Sequence, residues 1–116
     1  MESAKLEKYK RQYKYFGKAI DLLQRYLASA QHDSIIMPAL ISDKLKVSEL
    51  DAIFLLSLAE NENLLHKKYF VFTKNENNPL GEFDSSSSIP QCIVDQTTGR
   101  EVYEDNYYVD IAFEVA

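Results

Sequence analysis

Apolar residues recur at gaps of three and four from Leu6 through Tyr9, Tyr13, Phe16, Ile20 and Leu23 to Leu27. Only a helix sets residues so spaced along one side, so the first quarter of the chain is committed to an α-helical stripe. The gaps alternate as in a heptad seam, no proline interrupts them, and Gly17 alone weakens the run, by about 1 kcal/mol relative to alanine. The spacing predicts one long helix from Ser3 to Ala30, on the order of 40 Å at 1.5 Å per residue. That is more than a small trihelical core covers, so part of the seam is expected to want a partner. Its aromatic residues suit a core-facing stripe better than a dimeric zipper.

Pro38 suits a helix's first turn, and a second helix is expected over Pro38–Leu45. Ser48 is a good N-cap, with Glu49 and Asp51 in the turn where carboxylates meet the positive end of the helix dipole. A third helix is expected from Ser48 to about Asn61, with Asn63 as a left-handed stop. From Lys68 the period falls to two, with strands read at Tyr69–Thr73, Ile89–Asp95, Glu101–Tyr103 and Tyr107–Val115. In the last, Tyr107, Val109, Ile111, Phe113 and Val115 share a face, as a half-buried strand requires. Gln96-Thr97-Thr98-Gly99 predicts a hairpin turn, and 75–81 and 84–88 read as loops.

With 116 residues, 46% of them hydrophobic, the chain suffices for one core. A single domain 1–116 is expected: the long helix over 1–30, a helical pair within 31–66, and a β region over 67–116. The net charge of −5 is unevenly spread. Residues 1–30 hold Lys5, Lys8, Lys10, Arg11, Lys14, Lys18 and Arg25 against Glu2, Glu7 and Asp21, or +4, which leaves −9 elsewhere. Such a chain repels a phosphate backbone over most of its surface. The lone Cys92 forms no intrachain disulfide, and the absence of a long apolar run and of a signal peptide makes a cytoplasmic location the expectation. Val115-Ala116 falls inside an expected strand, so a longer parent chain is left open.

Helix, tight turn, helix and β-hairpin follow one another, and Leu45-Lys46-Val47-Ser48 through Asn63-Leu64-Leu65 resembles the winged helix-turn-helix family. Leu45, Val47, Ala52, Leu56, Ala59, Leu64 and Leu65 take the core positions of that pattern, and Asn63 replaces its closing glycine. The resemblance implies an α+β winged helix-turn-helix with a long N-terminal helix and a C-terminal antiparallel wing of about four strands. The departure from the pattern is equally informative. A DNA-reading helix presents cations and hydrogen-bonding groups, whereas the outward positions here are Glu49, Leu50, Asp51, Ile53, Phe54, Leu55, Ser57 and Leu58. None is basic, so groove insertion is unfavourable.

A helix apolar nearly all round is normally buried. Either the N-terminal helix folds back over it, or a protein partner or second copy covers it. The expected interface residues are Leu50, Ile53, Phe54 and Leu58 of the third helix with Tyr9, Tyr13 and Phe16 of the seam. The alternative is a DNA-binding regulator that sets Lys67, Lys68 and Lys74 of the wing and Lys10, Arg11 and Lys14 of the N-terminal helix on phosphates.

Phe70-Val71-Phe72, Gly81, Ile89-Pro90 and Thr98-Gly99-Arg100-Glu101 resemble winged-helix modules whose wing carries a zinc-ribbon-like insertion. Such modules hold paired cysteines in two loops. Here the loop positions are Lys74, Asn75, Asp95 and Thr98, so thiolates for a zinc site are lacking and neither metal nor cofactor is expected. His32 and His66 have no metal-ligand spacing, Cys92 reads as a small packed residue, and Gly17, Gly81 and Gly99 lie too far apart to cradle a phosphate. The expectation is a non-enzymatic interaction or adaptor module without a small-molecule substrate. The resemblance further implies an accessory role in bacterial multi-protein systems, anti-phage defence among them.

Overall fold

The computed structural model describes residues 5–116. In chain order it contains α1 (Glu7–Gln12), α2 (Gly17–Ser29), β1 (Ile35–Ile36), α3 (Pro38–Leu45), α4 (Glu49–Asn61), β2 (Leu65–Thr73), β3 (Pro79–Phe83), β4 (Cys92–Val94), β5 (Glu101–Tyr103) and β6 (Tyr107–Val115). The fold is α+β. One antiparallel sheet runs β1-β6-β2-β3, and β4 and β5 form a separate hairpin.

The expected single N-terminal helix is interrupted, and its first two residues, Ser3 and Ala4, lie outside the described part. Tyr13 leaves helical geometry at φ −123°, ψ 70°, and a 3-10 turn over Lys14–Phe16 leads into α2. Tertiary packing here overrides a local pattern that favours continuity: both Tyr13 and Phe16 reach the ring of Phe54. The stripe itself faces inward, with Leu6, Tyr9, Ile20 and Leu23 buried.

α3 and α4 form where their punctuation predicts. Ser48 Oγ accepts the Asp51 amide at 3.0 Å, satisfying one of the helix's orphan donors. At the other end Asn63 takes φ 61°, its amide donates to the Glu60 carbonyl, and the Leu64 amide donates to that of Ala59. These paired bonds are a Schellman closure, which turns the chain sharply into β2. Ala52, Leu55, Leu56 and Ala59, spaced i, i+3, i+4 and i+7, are the inner face of α4. Leu55 was expected outward and is fully buried, because the inward arc is one position wider than the family pattern suggests.

Two short strands were not among the expected ones, β3 beginning inside the stretch 75–81 read as a loop. β1 pairs with β6, Ile35 opposite Glu114 and Ile36 opposite Phe113. β3 pairs with β2 across a register shift between Val71 and Phe72. Pro79 begins β3, which lies at the sheet edge, where a missing amide costs no ladder bond. The β4–β5 turn is the expected one: Gly99 has φ 75° and donates its amide to the Asp95 carbonyl.

The chain gathers into two compact units. One comprises the N-terminal residues through His66 with Phe113–Ala116, and the other Lys67–Ala112. The division at residue 67 coincides with the expected start of the β region. In the first unit the last residues are stitched in by bonds from Ala116 to Leu64 and between Val115 and Ser34. Among the described residues, no helix is long and apolar enough to cross a membrane.

Candidate interaction surface

α4 is covered on one side by its own chain. The Tyr13 ring meets Phe54 edge-on at 5.1 Å, Phe16 meets the same ring at 5.8 Å, and Tyr9 stacks on Tyr13 at 6.3 Å. Such aromatic contacts add about 1 kcal/mol each beyond the area they bury. Below the cluster Tyr9 Oη donates to Glu62 Oε2 at 2.6 Å and accepts from Asn61 Nδ2 at 3.1 Å, and Lys8 Nζ lies 3.0 Å from the same carboxylate. The Tyr9 hydroxyl first, then Lys8, holds the Glu62 carboxyl below its ordinary range.

Of the seven expected interface residues, six are therefore engaged within the first unit or half-buried there: Tyr9, Tyr13, Phe16, Ile53, Phe54 and Leu58. Leu50 alone remains open, at 76% exposure in the first turn of α4 beside Glu49 and Asp51. Ile35, Met37 and Leu40 are further exposed apolar residues of that unit. Glu62 and Asn61, the anchors of Tyr9, were not foreseen, since no periodicity marks a long-range polar contact. Tyr9→Phe is expected to cost about 2 kcal/mol in urea unfolding, since it removes two hydrogen bonds, to Glu62 and from Asn61, and leaves Glu62 with Lys8.

The six candidate cations divide. Lys10 is bound to Asp21 at 2.7 Å and to Glu7 at 3.0 Å, and Lys68 to Asp84 at 2.6 Å. Lys67 is half-buried, and Lys74 is exposed at the rim of a polar cavity. Arg11 and Lys14 stand exposed without a carboxylate partner among the described residues.

That cavity, about 260 Å³ in the second unit, brings together Lys74, Asn75, Asp95 and Thr98, the two loops compared above with zinc-ribbon ligand positions. Asp95 is its buried centre, accepting from Asn78 Nδ2 at 3.1 Å and from the Thr97 amide at 2.9 Å. The Asn78 bond, assisted by Thr97 and Thr98, outweighs burial and keeps the Asp95 carboxyl below its ordinary range. Nearby on the β4–β5 hairpin, burial first and then the Glu101 contact at 3.4 Å push the Cys92 thiol up. A thiol so placed is held in its unreactive protonated form. His66 is exposed, and His32 lies 3.5 Å from the neighbouring carboxylate of Asp33.

Compared with family models, curated proteins and solved structures, the chain has no significant match.

Proposed function

We propose that the chain is a non-enzymatic, cytoplasmic interaction module of winged-helix type, an adaptor that engages other protein surfaces. The order of α2, β1, α3, α4 and the long strands β2 and β6, with β1 paired to β6, supports the winged-helix reading. One observation carries the functional reading. The helix in the recognition position has its aromatic side occupied by Tyr13 and Phe16, and opens on Glu49, exposed Leu50 and Asp51. Carboxylates at that end repel phosphates, and leucine supplies neither a donor nor an acceptor to a base edge. The same residues suit a protein contact, in which an exposed apolar side chain enters a pocket and the charges stay at the rim. Lys10 and Lys68, two cations that DNA binding would recruit, are held by Asp21 and Asp84. An accessory place in a bacterial multi-protein defence system is the setting that the sequence resemblance suggests.

Photo-cross-linking tests this directly. With p-benzoylphenylalanine in place of Leu50, irradiation of the source cells should yield a discrete protein adduct. It should disappear when the same probe replaces exposed Gln96 instead. Adducts to nucleic acid from position 50 would overturn the reading.

A further inference from the structure

Most charged side chains that approach an opposite charge do so within the chain: Lys8 with Glu62, Lys10 with Asp21, Lys68 with Asp84, Arg100 with Glu76. Among the exposed charges for which no such pair forms among the described residues, two clusters have opposite sign. On the first unit, Arg11, Lys14 and Lys18 have no carboxylate within ion-pair distance among the described residues, and Tyr15 between them is 90% exposed. Its ring is braced edge-on against Phe16 at 5.1 Å, which holds it outward. On the second unit, Glu101, Glu104 and Asp105 have no cation partner among the described residues. The register of β4 and β5 sets Val94 opposite Glu101 and Cys92 opposite Tyr103, so Val94 and Tyr103, 47% and 53% exposed, share the Glu101 face.

We propose that the basic face carrying Tyr15 docks against the acidic face carrying Tyr103 of a second copy, in a head-to-tail contact. This rests on the interaction-module reading and names one partner for it. Three cations meet three carboxylates, and each set accompanies an exposed tyrosine, a side chain enriched at protein interfaces. A nucleic acid fits less well, because the remaining 86 residues carry −9 and repel a polyanion that extends past three cations. The contact is heterologous, joining different faces of the two copies, so it builds closed or open assemblies of two or more copies.

Size exclusion with light scattering on the whole chain tests it. At high micromolar concentration and low salt the wild-type mass should be at least twofold the monomer value, and it should return to monomer at about 0.5 M salt, where screening acts within roughly 4 Å. Arg11→Glu/Lys14→Glu/Lys18→Glu should be monomeric, as should Glu101→Lys/Glu104→Lys/Asp105→Lys. Mixing the two should restore association, because every contact between them is again of opposite sign. Circular dichroism reports folding. Should either triple variant unfold, the single pair Lys14→Glu and Glu104→Lys gives the same comparison with a smaller change. A wild-type chain that stays monomeric, or a folded mixture that does not assemble, overturns the proposal. So does a monomer whose basic face instead binds a labelled oligouridylate in a salt-sensitive way. Failure here leaves the Leu50 cross-link free to succeed, whereas loss of that cross-link would remove the adaptor reading itself.

Discussion

Phe54→Asp should unfold the first unit rather than merely blunt a surface. The substitution removes both ring contacts, to Tyr13 at 5.1 Å and to Phe16 at 5.8 Å, and sets a carboxylate beside those two aromatic side chains. Large-to-small changes at packed aromatic positions cost about 3–5 kcal/mol, and an unpaired charge adds to that. Against a total of roughly 5–15 kcal/mol for a domain, such a loss removes most of the stability. Urea denaturation followed by circular dichroism should show the midpoint collapse, and Phe54→Leu, which keeps the bulk, should retain most of it. A cycle combining Phe54→Leu with Tyr13→Leu should return a coupling of about 1 kcal/mol. An unchanged midpoint for Phe54→Asp would mean that Tyr13 and Phe16 do not cover the helix in solution. The apolar face of α4 would then be free for a partner.

Which of two coverings applies to that face is a question periodicity does not decide. Spacing showed that Tyr9, Tyr13, Phe16, Ile20 and Leu23 lie on one side, and all five do turn inward. It did not show the bend at Tyr13, because the bend answers to Phe54, 41 positions away, and nothing local encodes that distance. Capping chemistry is local and was legible: Ser48 and Asn63 do what their side chains and backbone preferences dictate. β1 and β3 were not legible. Two residues are too few for a period, and the Pro79-Leu80-Gly81 opening of β3 reads as a turn until β2 supplies a partner. The candidate surface divides in the same way. Leu50 was identifiable as an apolar residue in an acidic first turn, whereas Tyr15 and Tyr103 are picked out by exposure, which depends on the finished fold.

Asp95→Ala should be strongly destabilising in the second unit, by an amount that depends on pH. Asp95 is nearly fully buried, yet every polar atom of it that is buried finds a donor: Asn78 from the loop after β2, Thr97 from the turn after β4. Alanine leaves those donors facing a void, and a melting temperature lower by on the order of 10 °C is expected for a unit of this size. Asp95→Asn should be milder, because the Asn78 amide can rotate to present its oxygen to the new donor while Oδ1 keeps the Thr97 bond. The sign of the pH effect follows from the depressed carboxyl. A group whose folded value lies below its unfolded value, about 3.9 for aspartate, contributes stability at any pH above the unfolded value. That contribution fades as pH falls from there through the folded value, when both states come to hold the proton. The gap between wild type and Asp95→Ala should therefore be constant from pH 7 to about 5 and narrow below about pH 4. Glu62 and the other carboxylates titrate equally in both chains and cancel in the difference. Thermal melts at intervals between pH 7 and 2.5 measure it. A gap independent of pH would show that Asp95 holds its two loops by shape and not by charge.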